Sequence, residues 1–251
     1  MDTISALFTA AVEVDPTRPL LTYYDDATGE RTELSGATLA NWVAKTANLL
    51  VDGVGLVPGD RAAVLLPPHW QTAAVLLGCW SAGVVVDPDP AGSGGGPAEV
   101  AFAAADRLAG TDGRAGTDRP APPGAEIFGL ALTPFAMPMR QPPPGVSDFV
   151  LEVRGHGDQF RPAYPVLAGS PALPGVSHGE LCAAAAARSA ALGLATGARV
   201  LLDAAATPDP VDWLLAPLAG GASVVLCAHL NPDRLPRRLT DERVTATVGL
   251  G

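Results

Sequence analysis

The spacing of apolar positions changes several times along the chain, and each change predicts an element. Leu20 to Tyr24 (LLTYY) reads as a short strand, Ala27-Thr28-Gly29 as a turn, and Arg31 to Leu34 as its hairpin partner. Leu39, Trp42, Val43, Ala47 and Leu50 then recur at helical spacing, with Asn41, Lys45 and Asn48 on the opposite side. Val57-Pro58-Gly59-Asp60 stops that helix and turns the chain. Arg61 to Pro67 predicts a buried strand, His69 to Ala82 a mostly apolar helix, and Val84 to Val86 a second strand. Strand, helix, strand with short connections is a right-handed crossover unit, so a parallel sheet with helices on its faces is expected.

From Asp87 the sequence becomes DPDPAGSGGGP, a flexible connection at the carboxyl end of a strand, the edge where open α/β sheets keep their ligands. Ala98 to Leu108 predicts a helix, Gly110 to Gly124 a polar loop, Glu126 to Thr133 a strand, and Met137 to Gly145 (MPMRQPPPG) a Pro-rich linker. Structure resumes with Phe149 to Val153 and an Ala-rich helix from Gly179 to Leu194. A strand over Arg199 to Asp203, a helix near Val211 to Leu218, a strand over Ser223 to Cys227, a helix near Asp233 to Leu239 and a strand over Val244 to Val248 follow. This alternation predicts an α/β fold, a doubly wound and mostly parallel sheet with flanking helices. The chain reads as one α/β domain over 1–251, or as two lobes, about 1–145 and 146–251, joined by the Pro-rich linker.

Composition narrows the function classes. With 251 residues and 48% hydrophobic content the chain can bury a core. Its 28 Gly and 25 Pro make up about a fifth of the residues, short of the roughly 25–30% that marks low-complexity disorder. A formal net charge of -10 supplies no basic footprint, so nucleic acid and membrane surfaces are not expected partners. Cys79, Cys182 and Cys227 lie far apart in apolar stretches and read as buried free thiols of a reducing compartment. No secretory n-region precedes Arg18 and no apolar run reaches the length of a membrane span, so a cytoplasmic protein is expected. Lys45 is the single lysine, which confines amine chemistry to one position.

Two stretches carry a resemblance. Leu21 to Pro88 keeps, in order, a strand pair, a helix leading to Gly59-Asp60-Arg61, a strand ending in Leu66-Pro67, and a helix ending in Ala82-Gly83. Gly197 to Gly249 carries the run L-x-P-L-x-x-G-A-x-V-V-L at Leu215 to Leu226. Together they resemble the adenylate-forming AMP-binding enzymes, the superfamily of acyl-CoA synthetases and their relatives. The resemblance implies the fold of the first part of that family's large domain, and an ancestral chemistry in which ATP activates a carboxylate.

It also implies where a phosphate loop belongs, a turn of the type T-S-G-T-T-G-x-P-K-G-V followed by a His and a helix. Backbone N–H groups and hydroxyls in such a turn cradle the triphosphate, and the Lys neutralises it. The matching segment is LAGSPALPGVSHGEL, Leu167 to Leu181. Gly169, Ser170, Gly175 and His178 are the cofactor-binding candidates that survive; the Thr pair is replaced by Pro171-Ala172, and no Lys stands between Pro174 and Val176. Proline removes an N–H that a phosphate would use. A degenerate loop with weak or absent triphosphate binding is expected, ATP or AMP remaining the only cofactors the resemblance suggests. The residues after Asp203, where the family carries an aromatic and a His, are Ala204-Ala205-Ala206-Thr207. The resemblance further implies that a complete enzyme carries an adenine-binding strand, a ribose-binding acid and a mobile domain with a catalytic Lys, and this sequence shows none of them.

Other candidate chemistry has a plainer reading beside it. Ser177-His178-Gly179-Glu180 fits a capping box, which makes His178 an exposed first-turn residue. His69 is expected at the start of its helix, His156 in a solvated turn, and His229, after a strand, facing either a ligand edge or water. Asp87-Pro88-Asp89-Pro90 reads as an acidic turn before it reads as a metal site, and Gly92 to Gly96 as linker before dinucleotide loop. Trp42, Trp70, Trp80 and Trp213 read as helix-packing residues. No C-x-x-C, H-E-x-x-H or G-x-S-x-G occurs, so no catalytic residue and no metal ligand is assigned. The expected function is that of a shortened, non-catalytic pseudoenzyme with a ligand-binding or regulatory role, its partner a nucleotide, an acyl-type small molecule or a protein. The alternatives are an acyl-adenylate-forming enzyme completed by a partner chain and a structural protein-interaction module.

Overall fold

The structure, a computed structural model, describes residues 2–88, 97–108 and 122–250. In chain order the elements are α1 (Ile4–Glu13), β1 (Pro19–Asp25), β2 (Glu30–Ser35), α2 (Gly36–Asn48), β3 (Arg61–Leu65), α3 (Trp70–Ala82), β4 (Val85–Asp87), β5 (Val100–Ala104), α4 (Ala105–Leu108), β6 (Glu126–Leu130), β7 (Val146–Asp148) and α5 (Phe149–Arg154). They continue with β8 (Pro171–Leu173), β9 (Val176–Ser177), α6 (His178–Ala191), β10 (Arg199–Asp203), α7 (Ala216–Ala219), β11 (Ser223–Ala228), α8 (Leu235–Asp241) and β12 (Ala246–Val248). The Gly92 to Gly96 stretch, the second half of the Asp87 to Pro90 turn and the loop over 110–121 lie outside the described residues. Among the described residues no helix is long and apolar enough to cross a membrane.

The chain forms two compact units, each assembled from separate stretches: 1–41, 67–74 and 178–251 in the first, 42–66 and 75–177 in the second. The first unit holds a sheet in the order β12-β10-β11-β1-β2, parallel except for the β1–β2 hairpin. Its middle strands are buried on both faces, which is why they read as continuous apolar runs, LLTY in β1 and SVVLC in β11. Leu201, Val225 and Cys227 pack with Leu235 and Leu239 of α8. The β2 edge carries Glu30, Arg31 and Glu33, charges of the kind that keep an edge strand from pairing with another chain.

The second unit holds an all-parallel sheet in the order β4-β3-β5-β6-β7. Phe102 stacks on Phe128 at 5.6 Å between ring centroids and meets Phe149 edge-on at 5.8 Å. The helix predicted over Ala98 to Leu108 is corrected here: Val100–Ala104 is a central strand between β3 and β6, and only Ala105–Leu108 is helical. A short apolar run buried on both faces has no periodicity to distinguish strand from helix, and pairing on both sides decides it. Gly78 of α3 explains a residue that sequence alone marks only as an interruption. A Cβ there would lie 2.6 Å from Cβ and Cγ2 of Thr46 in α2, so the glycine permits the close approach of the two backbones.

Candidate functional site

The segment that answers to the phosphate loop folds as a small hairpin. Pro171 stands opposite Ser177 and Leu173 opposite Val176, which leaves Pro174-Gly175 as a two-residue turn with Gly175 at φ 76°. Proline followed by a glycine of positive φ is the combination a type II turn demands. Before the hairpin, the Ser170 amide donates to the Leu167 carbonyl and the Ser170 hydroxyl accepts from the Leu167 amide, each at 3.0 Å. Ala172 is fully buried, and its carbonyl accepts the Trp80 indole N–H at 3.0 Å. A Cβ at Gly169 would meet nothing within 4 Å, so no close approach requires that glycine.

The segment lacks several of the groups with which a phosphate loop holds a triphosphate. Pro171 and Pro174 offer no N–H, the Ser170 polar groups close a local turn, and the lysine position is missing. The one lysine of the chain, Lys45, donates to the His156 carbonyl at 2.5 Å in the second unit. After β10, Ala204, Ala205 and Ala206 bring no polar side chain where the family carries an aromatic and a His. A cleft of about 180 Å³ in the second unit, lined by Leu56, Pro58, Phe160 and Tyr164 among others, is small beside the roughly 300–1,000 Å³ of ligand pockets. Among the described residues no three His, Cys, Asp or Glu side chains are grouped to hold a metal ion.

His178 begins α6 but is fully buried, so the expected exposed first-turn position is overturned. The reason is α1, whose Ile4 amide donates to His178 Nδ1 at 3.4 Å. Burial pushes this imidazole down to about 4. The sequence reading missed α1 although its signal is present: Ile4, Leu7, Phe8 and Ala11 recur at helical spacing behind Thr3, whose hydroxyl caps the Ala6 amide at 3.2 Å. Trp70, Trp80 and Trp213 are core residues as predicted, Trp42 is half-buried, and the three cysteines are buried and free.

Two buried carboxylates that sequence reasoning passed over organise one face of the first sheet. Glu242 accepts from the Tyr24 hydroxyl at 2.6 Å, Arg31 Nε at 2.9 Å and Arg199 Nη2 at 2.5 Å. Asp26 accepts from Arg238 Nη2 at 2.6 Å, from the Asn231 amide at 2.8 Å and from Arg234 at 3.3 Å. Burial pushes both carboxyls up, but these hydrogen bonds and the guanidinium charges outweigh it and hold both below the usual range. Arg238 also lies over the Tyr24 ring at 4.1 Å. The arrangement ties α8 to β1 and β2.

His69 sits immediately before α3, as expected, with its Nδ1 accepting the Gln71 amide at 3.0 Å in the manner of a helix cap. The ring is enclosed, 4.3 Å from Tyr23 and edge-on to it, and burial pushes its pKa down to about 3. The folded chain therefore refuses a proton that the unfolded chain takes up near pH 6.5. Stability is expected to fall by about 2 kcal/mol between pH 6.5 and 5 from this residue, with His178 adding in the same direction. Urea unfolding across that range measures it. His69→Asn keeps a capping acceptor and should flatten the slope; an equally steep profile in that variant would refute the assignment.

These features meet a consistent set of similarities. Residues 8–107 match the model of the AMP-binding enzyme family. The fold is that of solved synthetases: a fatty acyl CoA synthetase of Mycobacterium tuberculosis (TM-score 0.69, 16% identity, 98% of this chain and 49% of that one) and an acyl-CoA synthetase of Brucella canis (TM-score 0.71, 18% identity, 95% and 46%). An acetoacetyl-CoA synthetase of Streptomyces lividans is similar as well (TM-score 0.71, 19% identity, 96% and 41%). The chain thus spans about half the length of the solved synthetases it matches or less. A Mycobacterium tuberculosis protein, the TIGR03089 family protein, is 46% identical over 242 residues, which are 96% of this chain and 95% of that protein. The chain belongs to this TIGR03089 family, a partial member of the adenylate-forming AMP-binding superfamily.

Proposed function

We propose that this chain is a non-adenylating member of its superfamily, a pseudoenzyme that binds a nucleotide, an acyl-type small molecule or a protein partner in a regulatory role. The observation that carries the reading is the hairpin over Pro171 to Ser177, whose sequence answers to a phosphate loop but has no lysine and loses two backbone N–H groups to Pro171 and Pro174. Adenylation requires charge neutralisation as a carboxylate oxygen attacks the α-phosphorus, and that charge has no counterpart in this segment. Gly169, Ser170, Gly175 and His178 are what the chain keeps of the motif, so loss of triphosphate affinity ahead of nucleoside monophosphate affinity is the expected pattern.

The test is exchange of labelled pyrophosphate into ATP across a panel of carboxylic acids, run beside thermal unfolding with Mg²⁺-ATP, AMP and acyl-adenylate analogues. No exchange is expected with any acid. Exchange above background that falls in Ser170→Ala would overturn the reading. A saturable rise in unfolding temperature with AMP or an acyl-adenylate, by the mass-action relation between ligand and native state, would identify the ligand class.

A further inference from the structure

The carboxyl ends of β1, β10 and β11 form a second place where chemistry converges, unrelated to the hairpin. From β10 the chain crosses through α7 to β11, and from β11 it crosses back through α8 to β12 on the far side of β10. Right-handed crossovers running in opposite directions put their helices on opposite faces, so the loops over 204–210 and 229–231 diverge. That divergence is the topological switch point at which open α/β sheets bind their ligands.

His229 is the first residue of the second loop. It holds φ 48°, a left-handed conformation unfavourable for a residue with a Cβ, and 67% of its side chain is exposed. Its Nδ1 lies 2.8 Å from Oδ1 of Asp25, the last residue of β1. The Asp25 oxygen also accepts the Ala27 amide at 2.8 Å. Burial pushes the Asp25 carboxyl up, but the His229 and Ala27 hydrogen bonds outweigh it and hold the group below its usual range. An ionised carboxylate has no proton to give, so Nδ1 is the donor, which leaves Nε2 as the ring nitrogen available to accept a proton. His69 and His178 are the reverse, since each accepts a backbone N–H at Nδ1 and is buried. Asp26 beside the pair is already engaged by Arg238, and the Asp203 carboxylate accepts the Ala205 amide, so neither competes for the ring in the structure.

We propose that Asp25 and His229 form an acid–base site for a small ligand presenting an O–H group. The proton passes from the hydroxyl to His229 Nε2, the imidazolium is paired with the Asp25 carboxylate, and the oxygen is left as the nucleophile. With water as the O–H group and an activated ester such as a p-nitrophenyl ester as acceptor, the water oxygen bonds to the acyl carbon, the ester C–O bond breaks with its electron pair leaving on the p-nitrophenolate, and the imidazolium returns its proton to solvent. Asp25 acts as the positioning residue, fixing the tautomer.

The test uses the full chain. Two-bond ¹⁵N–¹H spectra should show His229 as the Nδ1–H tautomer, and His69 and His178 as Nε2–H. Hydrolysis of p-nitrophenyl acetate should fall about a hundredfold in His229→Asn, the low end of what a positioned base contributes. The fall should be smaller in Asp25→Asn, with its His229 signal moving to a tautomer mixture. Asn tolerates the left-handed backbone, so His229→Asn folds whatever happens to the Asp25 variant. An Nε2–H signal for His229, or an unchanged hydrolysis rate in His229→Asn, would overturn the proposal.

Discussion

Asp26→Ala should destabilise the first unit by about 3–5 kcal/mol, the cost of removing one partner from a buried ion pair. The side chains of Asp26 and Arg238 are 4% and 6% exposed, so the variant leaves a guanidinium enclosed against Tyr24 and Cys227 without its carboxylate. The loss also frees the Asn231 amide at the start of the segment leading into α8. Urea midpoints at unchanged slope would register it. Replacing both members together, Asp26→Leu with Arg238→Leu, should recover a large part of the loss, because an apolar pair leaves no buried charge. A double variant no more stable than Asp26→Ala would show that the pair acts through something other than mutual neutralisation. Below about pH 4 the same contacts weaken in the wild type, since carboxyls held below their ordinary pKa contribute stability that disappears as they protonate.

Trp80→Ala is expected to cost about 3–5 kcal/mol, in line with truncation of a large buried aromatic. Trp80 is fully enclosed, and its indole N–H is the partner of the Ala172 carbonyl. Two effects separate in the variants. Trp80→Phe keeps most of the volume and should cost only about 1–3 kcal/mol, chiefly the unpaired carbonyl. Hydrogen exchange at residues 171–177 should rise in both variants, because the indole anchors β8. Protection unchanged in Trp80→Ala would mean that the hairpin is held by its own turn.

The order of elements was legible from residues 19 to 87 and again from 199 to 248, because buried parallel strands and amphipathic helices write strong patterns. Val100–Ala104 was not, since Ala-rich sequence suits a helix as well as a fully enclosed strand. Which strands become neighbours was not legible either, as β1 and β11 pair across almost the whole chain with nothing local to announce it. At the hairpin, the substitutions Pro171 and Ala172 and the missing lysine could be read directly, whereas the strand pair closed by Pro174-Gly175 was not predicted. The burial of His178 depended on α1, and the roles of Asp26, Glu242 and Asp25 depended on which strand ends the fold brings together.

The pairing of β1 with β11 also dictates an order of events during synthesis. Leu21 cannot meet Val224 until the ribosome has released most of the chain, while β1 and β2 are available to form a hairpin from the start. That hairpin then waits with the apolar side of β1 uncovered, and a sheet built from contacts so distant in sequence closes slowly. Nascent chains halted before residue 223 should therefore recruit chaperones through β1, and release them once β11 arrives.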